Sequence, residues 1–347
     1  MKVRINTYVN LRTELAEIHP YNNPRDIYFS PGDIINVAET VIGENYKGND
    51  LWYRLEEGGY VWSGADNDSK ITVEPNFWLK RFGLDLLQQQ FQQKLSNVSI
   101  SILDTGIDEM HLDLKDTVNL KFNAVSQNQP TKDADGHGTH CSGIIIGTAK
   151  NKISGVAKGA KLNVCKIMNT SSGSFTGMTV KGMIRALDKV GDQSDVISIS
   201  AGVNQYDKEL HDKIKAYAEK GVIIVAAIGN VSPEDRTAKY PAMFDECIAV
   251  GSLNNSLELS DLTVRNSKID ICFPGELITS TLPNDSYGQK SGTSMATPFI
   301  AGLAALMKAN NAESNYAVFR ELLKDHAVLK QKEQFQYYAI KNEKIIL

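Results

Sequence analysis

The sequence contains no continuous apolar run near the roughly 18 residues that a membrane-spanning helix requires. Its first twenty residues also lack the apolar stretch of a secretory signal peptide. We therefore expect a cytoplasmic protein without a membrane span, or a secreted one if the sequence is that of a trimmed chain.

Cysteine is scarce and is not grouped. The four cysteines lack the CxxC spacing of a zinc site and the density of a disulfide framework. Their apolar surroundings predict buried free thiols, which suit a reducing compartment. The cysteines are Cys141, Cys165, Cys247 and Cys272.

The sequence also lacks a large excess of charge of either sign. Lysine and arginine total 37, aspartate and glutamate total 41, and the net charge is -4. No basic stripe is present, so nucleic acid is not expected as a partner. The 42% of apolar residues and 22% of charged residues are ordinary for a globular protein.

The first seventy residues and the rest of the chain have different patterns. Short β-branched and aromatic runs separated by turn residues predict strands at 8–12, 33–43, 50–56 and 58–64. From residue 75 onward, strands are predicted at 98–103, 161–168, 195–200, 222–228 and 247–253. Helices are predicted at 77–95, 180–190 and 209–219. This alternation favours a largely parallel sheet with helices on both faces, whose functional groups gather at the carboxyl ends of the strands.

Two polar segments in the second region carry candidate catalytic groups. Asp104 ends a predicted buried strand, although an aspartate there could also cap a turn. His137 lies between two glycines that permit close backbone approach, and the apolar residues behind it predict a helix. The second histidine of this segment, His140, follows at a spacing that differs from the HExxH zinc motif. A metal site is therefore disfavoured, and we assign the catalytic role to His137 and a structural role to His140.

Two further segments complete the set. Ser294 precedes an amphipathic helix, where a serine ordinarily acts as an N-cap. The same position offers free backbone N–H groups and the positive end of the helix dipole to an oxyanion. Asn230 follows a predicted strand, and its side chain could either form a turn or donate a hydrogen bond to the same oxyanion.

The order Asp, His, Ser along the chain is that of subtilisin. The segments DTGID, DGHGTHCSG, AAIGN and SGTSMATP resemble those of the subtilisin-like serine proteases, from about residue 76 to about 310. Cys141 resembles the thiol of the proteinase K branch. The VNLR, WY and GYVW elements near the N-terminus resemble bacterial Src-homology-3-like (SH3-like) domains. These resemblances imply an α/β three-layer peptidase domain over 76–347, with a mainly parallel central sheet, preceded by a small all-β barrel over 1–72.

The resemblance also implies a function. The protein would be a serine endopeptidase of broad specificity with polypeptide substrates. Its chemistry would need no cofactor, and the N-terminal barrel would bind a peptide or a cell-wall glycan. The implied sites are the triad Asp104, His137 and Ser294, the oxyanion donor Asn230, the substrate-binding residues Ser200, Ala201, Gly202, Ala226 and Ala227, and a possible structural calcium ligand, Asp113.

Two other functions remain open from the sequence. The chain could be a catalytically silent protein that binds peptides or glycans through its N-terminal module. It could also be an acyl transferase or a peptide cyclase on the same scaffold. Labelling of Ser294 would separate the first alternative from a peptidase, and the mass of the product would separate the second.

Overall fold

The computed structural model describes residues 2–4, 9–10, 28–29, 34–46, 49–56, 60–62, 76–171, 174–233 and 235–347, and the statements below concern those residues. The chain divides into two compact units, Met1–Glu74 and Pro75–Leu347. No helix among the described residues is both long enough and apolar enough to cross a membrane.

The described part of the first unit consists of β-strands. Four of them form an antiparallel sheet in the order β1-β4-β5-β6, and β2 pairs with β3. The pairing of β5 with β4 and β6 places Trp52, Tyr53 and Val61 in a buried core of this unit. Much of the predicted VNLR element lies outside the described residues. The strands are β1 (Lys2–Arg4), β2 (Val9–Asn10), β3 (Tyr28–Phe29), β4 (Ile34–Tyr46), β5 (Asn49–Leu55) and β6 (Tyr60–Trp62).

The second unit is built on a nine-stranded sheet with the order β18-β19-β15-β14-β13-β12-β7-β9-β8. Its strands pair in parallel except for the edge hairpin β18–β19. Two-stranded antiparallel pairs, β10–β11 and β16–β17, lie outside this sheet. The strands are β7 (Ser99–Asp104), β8 (Val118–Asn123), β9 (Lys161–Lys166), β10 (Met168–Ser171), β11 (Ser174–Met178), β12 (Val196–Ile199), β13 (Ile223–Ala227), β14 (Cys247–Leu253), β15 (Ile271–Pro274), β16 (Ile278–Leu282), β17 (Ser286–Lys290), β18 (Ala327–Lys332) and β19 (Phe335–Ile340).

The central strands β12 and β13 are buried at every residue, which shows that both faces of the sheet are covered. One group, α2, α3 and α6, packs together, and α4 packs with α5. Helix α6 is buried over almost its whole length and fills the core beside β12 to β15. The helices are α1 (Phe77–Arg81), α2 (Leu84–Leu95), α3 (His137–Ile146), α4 (Val180–Val190), α5 (Lys208–Glu219), α6 (Thr293–Asn310) and α7 (Tyr316–Asp325).

The strand order creates a crevice at the carboxyl end of the sheet. After β7 the chain continues to β8 and β9 on one side, whereas β12 to β15 extend the sheet on the other side. The junction between β7 and β12 is therefore the topological switch point, where ligands bind in sheets of this kind. Asp104 ends β7 and Ser200 follows β12, so both residues lie at this junction.

The predicted single helix at 77–95 is wrong in one respect. The structure divides it into α1 and α2 at Gly83, whose φ of 68° lies in the left-handed region. Helical periodicity continues across this break, so the apolar pattern alone does not reveal it. In contrast, α4 and β14 have the predicted bounds.

Candidate active site

Asp104 is completely buried at the end of β7. Its Oδ1 accepts hydrogen bonds from the Thr105 backbone N–H at 2.7 Å and from Nδ1 of His137 at 2.7 Å. The carboxylate therefore caps its own turn and also binds the imidazole, so the two functions that the sequence left open occur together. Because a carboxylate only accepts, this contact places the imidazole proton on Nδ1 and leaves Nε2 as the basic nitrogen.

Two glycines allow His137 to reach this position at the start of α3. Gly136 has a φ of 88°, in the left-handed region that favours glycine. A Cβ at Gly138 would lie 2.2 Å from the Gly106 carbonyl oxygen and 3.2 Å from the Asp104 Cβ. Any side chain at residue 138 would push the helix away from the end of β7. The glycines that flank His137 thus permit the close approach of helix and strand that the sequence predicts.

The pKa of His137 is set by opposing influences. Burial lowers it, but the charge of Asp104, and secondarily the Cys141 thiol with Sγ 3.9 Å from Nδ1, raise it well above the ordinary value of 6.5. The Asp104 carboxylate thus stabilises the imidazolium form. A histidine held in this way readily accepts a proton from a neighbouring hydroxyl.

Ser294 is the second residue of α6, and the N-cap of that helix is Gly292. The N-cap role that serine often has at such a position therefore does not apply. The Ser294 hydroxyl donates to the Ser200 carbonyl oxygen at 3.2 Å. Its own carbonyl oxygen accepts from Ser200 Oγ at 2.9 Å and from Cys141 Sγ at 3.4 Å. This oxygen is available because Pro298, four residues further along the helix, has no N–H to donate to it.

These contacts bring the sequence-predicted residues of three separate segments together. Cys141, on α3 one turn after His137, contacts both the His137 ring and the Ser294 main chain. Ser294 is thus joined to the end of β12 through Ser200 and to the Asp104–His137 pair through Cys141.

Asn230 is held against the start of α6 by its side-chain oxygen. Oδ1 accepts from the Thr293 backbone N–H at 2.9 Å and from the Thr293 hydroxyl at 3.1 Å. Two donors on one side fix the orientation of the planar amide, so that its NH₂ group points the other way. A Cβ at Gly292 would lie 2.7 Å from Asn230 Nδ2. Glycine is therefore required at 292 for Asn230 to approach the helix so closely.

His140 is completely buried. Its Nε2 is 2.8 Å from the Ile278 carbonyl oxygen and 3.2 Å from that of Gly288. Burial, together with the nearby charge of His137, lowers the pKa of His140 to about 3. The ring is neutral at physiological pH and ties α3 to the hairpin β16–β17.

The predicted substrate-binding residues lie at the same edge of the sheet. Ser200 is buried, whereas Ala201 and Gly202 are partly exposed along the segment that follows β12. A Cβ at Gly202 would come within 2.4 Å of the Lys239 Cβ, so glycine is needed there. Ala226 and Ala227, at the end of β13, are buried.

One group of possible metal ligands occurs among the described residues. The ligand atoms of Asp104, His137 and Cys141 lie within 4.8 Å of one another. The Asp104–His137 hydrogen bond already uses Nδ1, and burial raises the pKa of the Cys141 thiol, which therefore stays protonated. These hydrogen bonds suit proton transfer rather than metal coordination.

Asp113, the predicted calcium ligand, is buried under the loop that follows α3. Its Oδ1 accepts from the Asn151 N–H at 2.8 Å. Its Oδ2 accepts from the N–H groups of Lys152 (2.9 Å) and Ile153 (2.8 Å) and from the Tyr287 hydroxyl (2.8 Å). Four donors occupy the roughly four acceptor positions of a carboxylate. Since calcium needs six to eight oxygen ligands, and this carboxylate is surrounded by N–H and O–H groups, the arrangement does not fit the ion.

Two residues of this site are absent from the sequence-based assignment. The Thr105 hydroxyl donates to the buried carboxylate of Asp133 at 2.9 Å and accepts from the Gly138 N–H at 2.8 Å. The available signals were the threonine next to Asp104 and the aspartate one turn before His137. Neither spacing by itself indicates that the two side chains meet.

Fold and site together define a serine peptidase with a subtilisin-like α/β architecture. Residues 96–340 match the family model described as "Subtilase family". The Major intracellular serine protease of Bacillus subtilis (strain 168) is 35% identical over 254 residues, covering 71% of this chain and 75% of that protein. Thermitase of Thermoactinomyces vulgaris is 31% identical over 248 residues, covering 70% and 87%. Subtilisin E of Bacillus subtilis (strain 168) is 34% identical over 236 residues, covering 67% and 61%.

The chain therefore belongs to the subtilase family. It is a serine endopeptidase, and its substrates are polypeptides. The family match begins after the first unit of the chain, so it carries no information on the N-terminal strands.

Proposed function

We propose that Ser294, His137 and Asp104 carry out the peptide hydrolysis. The observation that carries this assignment is the 2.7 Å contact between Asp104 and His137, to which Ser294 at the start of α6 is linked through Cys141. Ser294 Oγ attacks the carbonyl carbon of the peptide bond while its proton passes to His137 Nε2. The imidazolium is stabilised by Asp104 and then gives the proton to the leaving amine.

The negative charge that develops on the carbonyl oxygen of the substrate must be stabilised by hydrogen-bond donors. We assign the Asn230 NH₂ group and the Ser294 backbone N–H to this role. Asn230 is already oriented by Thr293, and the N–H of Ser294 belongs to the first turn of α6, where backbone donors have no helical partner. Oriented donors need no rearrangement as the charge appears.

The second half of the reaction uses the same groups. Water replaces the departed amine, His137 takes a proton from it, and the resulting hydroxide attacks the acyl carbon bound to Ser294. The acid is released and the serine regains its proton. Every group in this scheme belongs to the chain itself, so the proposed chemistry needs no cofactor.

The substrate is proposed to lie in an extended conformation along residues 200–202. Main-chain pairing with such an edge recognises any polypeptide, and selectivity then depends on the pockets. We assign the wall of the main pocket to Gly202, Ala226 and Ala227, whose small side chains leave room for a large substrate residue. Broad specificity follows from this arrangement.

A fluorophosphonate probe tests the catalytic assignment, because it labels only an activated serine. The wild type should be labelled at Ser294 and should cleave an unfolded protein, whereas Ser294→Ala should do neither. Ser267→Ala, at an exposed serine outside the active-site segments, is the matched control and should keep both activities. Absence of labelling in folded wild type would favour the silent binding protein. Products that have not gained the mass of water would favour ligation or cyclisation.

An intracellular location is also proposed. The four cysteines are buried and free, and burial raises the pKa of Cys165 to about 12 and raises those of Cys247 and Cys272 as well. Unpaired thiols are typical of a reducing compartment. Two relatives carry the word intracellular in their names: the Bacillus subtilis protein and the Intracellular serine protease of Paenibacillus polymyxa. The second is 35% identical over 225 residues, covering 62% of this chain and 68% of that protein. Fractionation of the source cells with an antibody tests this location.

For the N-terminal unit we propose an SH3-like barrel that binds a peptide or a cell-wall glycan. Its antiparallel strands and buried aromatic residues provide a core of the kind that such a barrel needs. Cosedimentation of Ser294→Ala with purified peptidoglycan, compared with the same variant lacking residues 1–74, tests glycan binding. Equal sedimentation of the two proteins would exclude the unit as a glycan-binding module.

A further inference from the structure

Thr105 is hydrogen-bonded both to Asp104 and to the helix that carries His137. Its backbone N–H donates to Asp104 Oδ1 at 2.7 Å, the same oxygen that binds the imidazole. Its hydroxyl accepts at 2.8 Å from the N–H of Gly138, the residue after His137 in α3. One residue at the end of β7 is therefore bonded to the carboxylate on one side and to the helix of the histidine on the other.

The Asp133 carboxylate determines how the Thr105 hydroxyl is oriented. Asp133 is buried and accepts from Thr105 Oγ1, from Gly136 N–H at 2.8 Å, and from both the N–H (2.8 Å) and the hydroxyl (2.7 Å) of Thr139. Burial alone would raise its pKa, but these donors lower it, so Asp133 is ionised. An ionised carboxylate can only accept. The single proton of the Thr105 hydroxyl must point to Asp133, and its lone pair is left for Gly138.

The same bonds satisfy the first turn of α3. The N–H groups of His137, Gly138 and Thr139 donate to Asp135 Oδ1 (3.1 Å), Thr105 Oγ1 and Asp133 Oδ2, respectively. These are backbone donors that a helix start leaves without helical partners. The orientation of α3 at its first residue is therefore set by side chains and not by the helix itself.

We propose that the Thr105 hydroxyl and the Asp133 carboxylate are positioning residues for peptide hydrolysis, which hold the start of α3 so that His137 keeps its catalytic orientation toward Asp104. This inference rests on the proposed triad. Neither residue touches the substrate or the reacting atoms. A displacement of about 1 Å in a catalytic group can cost on the order of 10²-fold in rate, so the loss of these contacts has a measurable effect.

Thr105→Val and Thr105→Ser form the matched pair that tests the proposal. Valine has the shape of threonine without the hydroxyl, whereas serine keeps the hydroxyl. We expect Thr105→Val to lower kcat by on the order of tenfold or more while KM stays within about twofold, since the residue acts on chemistry and not on binding. Thr105→Ser should stay within about threefold of wild type in kcat. Rates are expressed per serine titrated with a fluorophosphonate, so a loss of folded protein does not enter kcat.

A second readout observes the histidine directly. The proton on His137 Nδ1, held by Asp104, should give a resolved low-field resonance in the NMR spectrum of the full chain. We expect this resonance to move or broaden in Thr105→Val and to remain in Thr105→Ser. A role in general stability alone would leave both the resonance and the rate per titrated site unchanged.

Asp133→Asn supplies an independent variant in case Thr105→Val does not fold. The NH₂ group of the asparagine would face groups that are themselves hydrogen-bond donors. The Thr105 hydroxyl would then no longer have a fixed acceptor for its proton. Because the Thr105 hydroxyl is oriented by its contact with Asp133, Thr105→Val should add little to the loss in Asp133→Asn, and the double variant should lose no more kcat than the more damaged single variant.

Three outcomes would overturn the proposal: wild-type kcat in Thr105→Val, equal losses in the valine and serine variants, or fully additive losses in the double variant. Failure of the proposed triad would differ, because wild type would then not be labelled at Ser294. The His137 resonance would still show in that case whether the hydroxyl orients the imidazole.

Discussion

Two buried aspartates hold the regions at either side of α3, one at the start of the helix and one at the loop that follows it, yet the two regions serve different purposes. At the N-terminal end, Oδ1 of Asp104 accepts hydrogen bonds from an imidazole and from one neighbouring N–H. At the C-terminal end, Asp113 accepts three backbone N–H groups of the following loop and one tyrosine hydroxyl. The first carboxylate faces a group that changes its protonation during catalysis. The second faces only groups that do not titrate near neutral pH.

This difference shows that burial of a carboxylate does not by itself identify its role. An aspartate surrounded by backbone donors stabilises a loop, because every donor would otherwise need water or another acceptor. An aspartate bonded to a histidine stabilises a charge that appears only when the histidine is protonated. The partners, and not the depth of burial, distinguish the catalytic region from the structural one.

The largest effect is expected for Asp104→Asn. Asparagine can present an N–H to Nδ1 of His137 and thereby favour the wrong tautomer, so kcat should fall by about 10⁴. The free energy of unfolding should change little in comparison, because the loop contacts of Asp113 are untouched. Steady-state kinetics and urea unfolding, the latter with Ser294→Ala present to prevent autolysis, measure the two quantities. If Asp104→Asn lowered the free energy of unfolding as much as Asp113→Asn does, stability would not distinguish the two aspartates.

Asp113→Asn should give the opposite result, with kcat within about twofold and a free energy of unfolding lower by about 3 kcal/mol. The amide cannot accept from all four donors, so at least one buried N–H or O–H faces another donor. Burial by itself would raise the pKa of Asp113. Its hydrogen bonds outweigh that effect and lower the pKa; the donors are the N–H groups of Ile153, Asn151 and Lys152 and the Tyr287 hydroxyl. Its stabilisation is therefore present above the unfolded pKa of about 3.9 and is lost as the pH falls through the lower folded value.

The pH and the calcium concentration provide the controls for this variant. The difference in unfolding free energy between wild type and Asp113→Asn should persist from pH 5 to 8 and shrink below about pH 4. A chelator should leave the wild-type midpoint in urea unchanged, since the donors around Asp113 do not fit calcium. If calcium raised the midpoint of wild type but not that of Asp113→Asn, the carboxylate would be a metal ligand after all.

Much of this contrast could be predicted from the sequence, and part of it could not. The buried strand before Asp104, the glycines around His137 and the small residues before α6 are local patterns, and they predict the strand end and the two helix starts that the structure contains. Asp113 differs, because its role depends on where residues 151–153 and Tyr287 meet it. Contacts between distant segments depend on loop length and packing, which no periodicity records.

The acid side of the pH profile should follow the titration of His137. Catalysis requires the neutral imidazole, whereas Asp104 favours the protonated one and raises the His137 pKa well above 6.5. The value of kcat/KM should therefore rise about tenfold per pH unit below that pKa and level off above it. Asp113→Asn should leave this profile unchanged, and Asp104→Asn, in its residual activity, should shift the acid limb to lower pH. A profile that moved in Asp113→Asn would mean that the structural carboxylate influences the catalytic one.

The smallest effect is expected for Tyr287→Phe, which removes one of the four donors to Asp113 and keeps the ring packed edge-on against His111, with 5.0 Å between the centroids. The pKa of Tyr287 is raised to about 12, mainly by burial, so the hydroxyl is a donor throughout the neutral range. Its loss should lower the free energy of unfolding by about 1 kcal/mol, since the three backbone donors remain. Tyr338→Phe, on the partly exposed strand β19, is the control and should change stability by less than about 0.5 kcal/mol.

Tyr287 also tests how independent the two regions are, because it lies on β17, the strand that leads into Ser294. Among the described residues, the hydroxyl hydrogen-bonds to the Asp113 carboxylate and the Asn151 side chain and to no catalytic group, so kcat of Tyr287→Phe should equal that of wild type within about twofold. A lower kcat at unchanged KM, measured per titrated serine, would show that the state of the loop after α3 reaches the nucleophile through this strand. The start of α3 and the loop after it would then act together in catalysis. Asp113 could no longer be called a purely structural carboxylate.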